Sequence, residues 1–212
     1  MKKRILCYGD SNTWGYVPGT GERYPEEVRW PCICQKELGE DYTVIEDGIN
    51  GRTTCYEPGW GDAKNGREGL SYALLSNYPL NAVVIMLGSN DLTIHDAAFA
   101  KKGASELLRI IKNANSYFRT EIPVFPKCAK ILLVAPPLIK KNDDPAFLYA
   151  KASEESRKFA PYYRDLAKEY DVDYLDAGEY ATASDIDCIH LTIESHLALG
   201  KAIAEKLKEM FQ

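Results

Sequence analysis

The sequence predicts an α/β protein in which helices cover both faces of a five-stranded parallel sheet. Five short runs rich in Val, Ile and Leu are predicted as strands, and segments with helical spacing of apolar residues separate them. The third and fourth runs hardly alternate between apolar and polar residues, which is typical of strands buried on both faces. Strands and helices alternate along the chain, as crossovers between parallel strands require.

The individual elements follow from these patterns. The predicted strands cover residues 4–8, 42–46, 82–87, 130–135 and 172–175. The predicted helices cover residues 27–38, 66–77, 97–117, 146–169 and 193–210. Pro161 should break or kink the fourth helix, since proline lacks an N–H, and Thr192 is a suitable N-cap for the last one. No repeat, low-complexity tract or flexible linker interrupts the chain, so we expect residues 1–212 to form a single domain.

Composition excludes several classes of protein. The 212 residues carry a net charge of −5 without a dense cluster of Lys and Arg, so nucleic acid is not an expected partner. Neither a signal peptide nor an apolar run of roughly 18 residues is present, so no membrane association is expected. Six scattered cysteines without a CxxC pair indicate reduced thiols in a cytoplasmic protein. Without a P-loop, an HExxH motif or clustered ligands, we expect neither a cofactor nor a metal.

Polar turns follow the predicted strands at equivalent places. They are Gly9-Asp10-Ser11, the segment 47–51, the segment 88–91 and, one loop after the fifth strand, the segment 187–190. Ligands of open α/β sheets bind beyond the carboxyl ends of the strands, so these segments should converge at one edge of the sheet.

The residue types in these turns indicate acyl transfer. Ser11 offers a hydroxyl that becomes nucleophilic when a base removes its proton. His190 is the best candidate for that base, because Asp187 lies three residues upstream and can fix the imidazole tautomer. The backbone N–H groups of Ser11 and Gly51, together with the Asn90 side-chain amide, are candidate donors to an oxyanion. These residues lie in four separate turns, so the prediction depends on their convergence.

The sequence motifs in these turns resemble those of a known family. The chain contains the segments "GDSNTWG", "GING", "GSND" and "DCIH", which resemble the four signature blocks of the SGNH (GDSL-type) hydrolases. The residues in and around these segments are similar to those of the arylesterase/acyltransferase branch of the family. The resemblance implies a flavodoxin-like three-layer α/β/α sandwich with five parallel strands. It also implies Ser11 as nucleophile, His190 as base, Asp187 as its orienting acid, and an oxyanion hole formed by Ser11, Gly51 and Asn90. Since related arylesterases assemble, a homo-oligomer is compatible with it.

Two positions depart from the family pattern. Glu46 stands where the family often has Asn, which affects the geometry of the second turn and the polarity of the pocket. Asn12 replaces the Leu of the GDSL motif. Neither change removes a catalytic group. The segment 138–150 matches no pattern that we can place.

These observations predict a serine esterase that hydrolyses small, short-acyl carboxylic esters through an acyl-enzyme, with acyl transfer to alcohols where water is excluded. A thioesterase or carbohydrate deacetylase using the same triad stays open as an alternative. So does a non-catalytic flavodoxin-like binding module, whose turns would cradle an anion. All of these readings expect a small molecule as the partner.

Further residues have more than one interpretation. For Trp14, Tyr16 and Trp30, a role in a substrate pocket and a role in the core are equally compatible with the sequence. Arg52 is predicted to pair with a carboxylate of its loop, and His95 to lie either in a pocket wall or in solvent. The segment "GLSYA" resembles the GxSxG motif of α/β-hydrolases, but it follows no strand and its last residue is alanine, so its serine is not the predicted nucleophile.

Overall fold

The computed structural model describes residues 2–142 and 151–212, and within them one parallel sheet has the strand order β2-β1-β3-β4-β5. The strands are β1 (Lys3–Gly9), β2 (Tyr42–Gly48), β3 (Ala82–Met86), β4 (Lys130–Ala135) and β5 (Asp173–Asp176). The helices are α1 (Ser11–Trp14), α2 (Trp30–Leu38), α3 (Gly66–Asn77), α4 (Ala97–Lys112), α5 (Ala114–Phe118), α6 (Ala152–Ser156), α7 (Phe159–Tyr170) and α8 (Ile193–Met210). Two 3-10 turns follow β3 (Ser89–Thr93) and β5 (Ala177–Glu179).

Helices cover both faces of the sheet. Side chains of α3, α4 and α7 form an apolar core on one face, and side chains of α2 and α8 form a second core on the other. All five residues of β3 are buried, and they alternate between these two cores. The predicted three-layer α/β/α arrangement is therefore confirmed. Among the described residues, no helix is both long and apolar enough to cross a bilayer.

Two long predicted helices are each divided. The predicted helix 97–117 forms α4 and α5, because Asn113 leaves the helical conformation and its Nδ2 donates to Arg109 O (2.8 Å). The predicted helix 146–169 begins partly outside the described residues, and its remainder forms α6 and α7. Its break lies at residues 157–158, before Pro161. The proline occupies the first turn of α7, where an N–H would have no partner within the helix.

One helix begins later than predicted, and one short helix was not predicted. The first long helix begins at Trp30 rather than at residue 27, with Pro31 in its first turn, where proline is tolerated. The turn after β1 is a one-turn helix, α1, which is too short to show helical periodicity. In the last helix, the predicted N-cap is confirmed, since the Thr192 side chain accepts from Ser195 N (3.2 Å).

Glycines at the ends of β1 and β2 allow α1 to pack directly on the sheet. A Cβ at Gly48 would lie 2.2 Å from Trp14 N, and a Cβ at Gly9 would lie 2.0 Å from Thr13 Oγ1. Asp10 caps the helix, with its Oδ1 accepting from Asn12 N (2.9 Å). Asp10 therefore braces the turn after β1. These contacts fix the position of α1 relative to the strand ends.

Gly48→Ala should therefore destabilise the fold, because its new Cβ meets backbone atoms of α1 that cannot rotate away. We expect the free energy of unfolding to fall by about 2 kcal/mol and Tm by roughly 6 °C, measured by thermal denaturation. The matched control is Gly39→Ala, where the added Cβ has nothing within 4 Å and only the positive φ of +80° is unfavourable. Equal losses of Tm in the two variants would contradict this packing argument.

Candidate active site

The structure brings three of the predicted site residues into a continuous hydrogen-bonded row. His190 Nε2 lies 3.0 Å from Ser11 Oγ, and His190 Nδ1 lies 2.7 Å from Asp187 Oδ2. Ser11 is the first residue of α1, directly beyond β1, whereas Asp187 and His190 lie in the loop between β5 and α8. With the imidazole proton on Nδ1, Nε2 can accept the Ser11 hydroxyl proton. This arrangement is that of a nucleophile, a base and an orienting acid.

Asp187 is held by its own loop and by a second one. Its Oδ1 accepts from the backbone N–H groups of Ile189 (3.1 Å) and His190 (3.0 Å), and its Oδ2 also accepts from Gly19 N (3.1 Å). Burial acts to raise the pKa of Asp187, but the hydrogen bonds from His190 lower it below its ordinary value. Asp187 is therefore ionised at neutral pH and orients the imidazole.

Asn12 links α1, which begins with Ser11, to the backbone around His190. Its Oδ1 accepts from Leu191 N (3.0 Å), and its Nδ2 donates to Ile189 O (3.4 Å), so one amide contacts the backbone on both sides of His190. Asn12 is buried and is adjacent to Ser11 in the chain. The departure from the Leu of the GDSL motif thus has a structural consequence that sequence analysis missed. A polar residue at this position was the available signal, because a buried amide needs partners.

The two predicted donor turns also meet. Asn90 Nδ2 donates to Arg52 O (3.0 Å), which joins the turn after β3 to the residue following Gly51. Gly51 has a φ of +79°, and a Cβ there would lie 3.0 Å from Trp60 Nε1, so glycine suits both the backbone and the contact. Ser11 begins α1, and its N–H is therefore not part of the helical hydrogen-bond ladder. All three predicted donors lie at this end of the sheet.

Arg52 holds the second turn against the first. Its guanidinium pairs with Asp47 Oδ1 (2.7 Å), donates to Gly9 O (2.9 Å) and lies 3.9 Å from the centre of the Tyr8 ring. Its side chain is almost completely buried. The predicted pairing with a loop carboxylate is confirmed.

Glu46 pairs with arginines outside the hydrogen-bonded row. It forms a two-pronged ion pair with Arg29, with both oxygen–nitrogen distances 2.8 Å, and Arg23 lies 3.6 Å away. Burial alone would raise the pKa of Glu46, but the bonds from Arg29 lower it. The departure from Asn at this position therefore serves contact with the segment before α2.

Two further acids are buried beneath the site. Burial raises the pKa of Asp10 to about 6 and that of Asp91 to about 7. Asp91 accepts from Thr54 N (3.0 Å) through Oδ2 and from the Thr54 hydroxyl through Oδ1. The sequence placed Asp91 in a signature block but gave no sign of its partner, which lies 37 residues away.

The three aromatic residues for which the sequence allows either a pocket or a core position have different environments in the structure. Trp30 is completely buried in the core beside α8, so it lines no pocket. Tyr16 stacks on the His190 ring with a centroid distance of 4.1 Å and an interplanar angle of 24°. Trp14 is half-buried, and the Arg23 guanidinium lies 5.2 Å from its ring centre.

His95 lies in a pocket wall. It stacks on Phe99 (3.8 Å between centroids) and meets the edge of Tyr56. His95 and Phe99 line a cavity of about 1170 Å³. The Tyr56 hydroxyl donates to Asn90 O (3.3 Å), which connects this aromatic cluster to a predicted oxyanion donor. The described lining of the cavity includes Leu92 and Thr93, which follow Asn90 closely in the chain.

The remaining candidates lie elsewhere. The serine of the "GLSYA" segment, Ser71, is inside α3. All six cysteines are free. No cluster of three or more His, Cys, Asp and Glu side chains suited to a metal occurs in the part of the chain that the structure describes. Residues 143–150 of the unassigned segment 138–150 lie outside the described residues.

Comparisons with known proteins assign the chain to a family. The model of the GDSL-like Lipase/Acylhydrolase family matches residues 7–197. A search of curated proteins gives no match.

Several solved structures match almost the whole chain. Est24, a carbohydrate acetylesterase from Sinorhizobium meliloti, is 34% identical, with a TM-score of 0.92 and coverage of 99% of this chain and 100% of Est24. A carbohydrate acetylesterase family member from the same organism is 38% identical, with a TM-score of 0.91 and coverage of 98% of each chain. The native aryl esterase of M. smegmatis is 32% identical, with a TM-score of 0.91 and coverage of 98% and 99%. The resemblance to SGNH hydrolases is confirmed, and the chain belongs to the GDSL-like lipase/acylhydrolase family as a carboxylic ester hydrolase.

Proposed function

We propose that this chain is a serine esterase that hydrolyses short-acyl carboxylic esters through an acyl-enzyme on Ser11. The observation that carries the proposal is the row Ser11–His190–Asp187, with distances of 3.0 and 2.7 Å between successive polar atoms. Membership of an acylhydrolase family supports the same reading and argues against the alternative of a non-catalytic binding module.

In the acylation step, Ser11 Oγ attacks the ester carbonyl carbon while His190 Nε2 takes the hydroxyl proton. The imidazolium formed in this way is stabilised by the carboxylate of Asp187. As the tetrahedral intermediate collapses, the bond from carbon to the alcohol oxygen breaks, and the proton on Nε2 passes to that leaving oxygen. The alcohol departs, and the acyl group stays on Ser11.

The negative oxygen of the tetrahedral intermediate needs donors that are already in place. We assign this role to the N–H groups of Ser11 and Gly51 and to the side-chain amide of Asn90. The contact from Asn90 Nδ2 to Arg52 O (3.0 Å) supports the assignment, because it keeps the two donor turns together. Such preorganised donors need no rearrangement when charge develops.

Deacylation repeats these steps with a second nucleophile. Water loses a proton to His190 and attacks the acyl carbon, which releases the carboxylic acid and returns the proton to Ser11. An alcohol that occupies the place of water would instead receive the acyl group and form a new ester. The proposal therefore includes acyl transfer as a branch of the same cycle.

A short acyl group is favoured by the position of Trp60. Its indole nitrogen lies near Gly51, at 3.0 Å from where a Cβ would be, and the side chain is 41% exposed. The bulky ring therefore stands beside a proposed donor and limits the space next to the reacting carbonyl.

Acetylated carbohydrate is the second candidate substrate. Two structural relatives that are 34% and 38% identical to this chain are described as carbohydrate acetylesterases. Turnover of p-nitrophenyl acetate, acetylated xylose and acyl-CoA by the same preparation separates an aryl or alkyl esterase from a carbohydrate deacetylase and from a thioesterase. The highest kcat/KM identifies the class.

Ser11→Ala should abolish esterase activity, because no other group can form the acyl-enzyme. We expect kcat for p-nitrophenyl acetate to fall by about 10⁶-fold, the scale seen when a triad nucleophile is removed. A fluorophosphonate adduct mapped by mass spectrometry should appear on Ser11 in the wild type. Ser71→Ala is the matched control and should keep full activity. Substantial esterase activity in Ser11→Ala would refute the proposed function.

Asn90→Ala should lower kcat with a smaller effect on KM, because the lost donor acts mainly on the tetrahedral intermediate. We expect kcat to fall by about 10²- to 10³-fold, measured with p-nitrophenyl acetate at saturating substrate. Asn113→Ala is the control, since its amide also donates to a backbone carbonyl, at the end of α4. A rise in KM with unchanged kcat would show that Asn90 serves ground-state binding instead.

A further inference from the structure

The two proposed oxyanion turns arise from strands that are not neighbours. β1 lies between β2 and β3 in the sheet, so the turns after β2 and β3 must be joined across its end. One link is the bond from Asn90 to Arg52 O. The other is made by Asp91, whose two carboxylate oxygens accept separately from the backbone N–H and the hydroxyl of Thr54.

We propose that Asp91 is a positioning residue that sets the spacing between the oxyanion donors Gly51 and Asn90 by holding Thr54. This inference rests on the proposed function. Asp91 directly follows one donor in the chain, and Thr54 lies three residues beyond the other. The carboxylate is completely buried, so it acts through the two turns and not on the substrate.

The site of Thr54 is shaped for its hydroxyl. Gly103 of α4 faces it, and a Cβ at that position would lie 1.8 Å from Thr54 Oγ1 and 2.5 Å from Thr54 Cβ. The helix can therefore approach Thr54 closely only because residue 103 has no side chain. The carboxylate accepts both donors of Thr54 at once. An amide at position 91 would keep both links, because its oxygen can accept from the Thr54 N–H and its NH₂ can donate to the hydroxyl oxygen, whereas alanine would keep neither. The link thus needs a polar side chain of this size at position 91.

Keeping Asp91 ionised in the interior destabilises the folded state. Burial raises the pKa of Asp91. No positive charge comes from the titratable groups that interact with it electrostatically, which are Asp10, Cys55, Tyr56 and Tyr163. An acid whose pKa is raised by folding stabilises the protein at low pH. That contribution is lost as pH rises from about 4 to about 7, towards the pKa of the folded state. A protein with the uncharged amide at position 91, which keeps both bonds to Thr54, should therefore be at least as stable above pH 7.

Asp91→Ala provides the test and Asp91→Asn its conservative control, with kcat, KM and Tm measured at pH 8. In Asp91→Ala we expect kcat for p-nitrophenyl acetate to fall by about 100-fold and KM to change by less than about 2-fold, whereas Asp91→Asn should keep kcat within about 3-fold of the wild type and its Tm should stay the same or rise. The midpoint of the kcat/KM profile against pH should not move in either variant, because the row from Ser11 to Asp187 is untouched. Wild-type kcat in Asp91→Ala, a shifted midpoint, or a loss of kcat in Asp91→Asn as large as that in Asp91→Ala would each overturn the inference.

Variants of Thr54 test the same link from its other side. Thr54→Val removes the hydroxyl and keeps the backbone N–H, so kcat should fall by about 10-fold. Thr54→Ser keeps the hydroxyl and should restore kcat to within about 3-fold of the wild type. Full activity in Thr54→Val would contradict the role of Asp91 even if Asp91→Ala failed to fold. An inactive Ser11→Ala beside a fully active Asp91→Ala would overturn this inference alone, whereas an active Ser11→Ala would overturn the proposed function.

Discussion

The parallel register of β1 with its two neighbours is the constraint on which the site depends. Gly9, the last residue of β1, is paired with Gly48 of β2 on one side and with Met86 of β3 on the other. Three strands therefore end at one level, and the turns that follow them start from neighbouring points. A slip of one residue in this register would turn each side chain of the shifted strand to the opposite face. In β3, such a slip would exchange the side chains that pack in the two apolar cores.

Above the ends of the strands, the interior changes from apolar to polar. Arg52, Asn12 and Asp91 are all buried there, and each bonds to backbone atoms of a neighbouring turn. Buried polar groups are tolerated when they are hydrogen-bonded, and they then hold segments in one arrangement with a directionality that apolar contacts lack. The apolar cores thus supply the bulk of the burial, while these three side chains determine how the turns meet.

The sequence predicts the five strands to within two residues, because runs buried on both faces leave a strong pattern. It also places Ser11, Asp187, His190, Gly51 and Asn90 in turns that the structure brings together. The helix division at Asn113 was missed, because a local side-chain bond barely alters the spacing of apolar residues. The break that Pro161 predicts in the fourth helix is present, but it lies a few residues earlier, at residues 157–158.

The contacts of Asn12 and Asp91 could not be predicted for a different reason. Their partners are distant in the chain, by 179 residues for the bond from Leu191 N to Asn12 and by 37 for that from Thr54 N to Asp91. A pattern in one sequence shows that a polar residue is unusual, but the identity of its partner depends on the three-dimensional path of the chain. The same holds for Glu46, whose partner Arg29 lies in a different segment.

The bonds from Asn12 to both sides of His190 have a consequence for when the enzyme can work. The proposed nucleophile, Ser11, belongs to the first strand–helix unit, and the proposed base, His190, reaches it only after the fifth strand has joined the sheet. During synthesis, a chain that has folded every earlier layer would still hold an inert serine, so ester cleavage would begin only when the segment with His190 docks. Conversely, detachment of that segment would inactivate the enzyme while most of the sheet was still intact. Catalytic activity would then report the last folding step more sensitively than a spectroscopic signal averaged over all of the secondary structure.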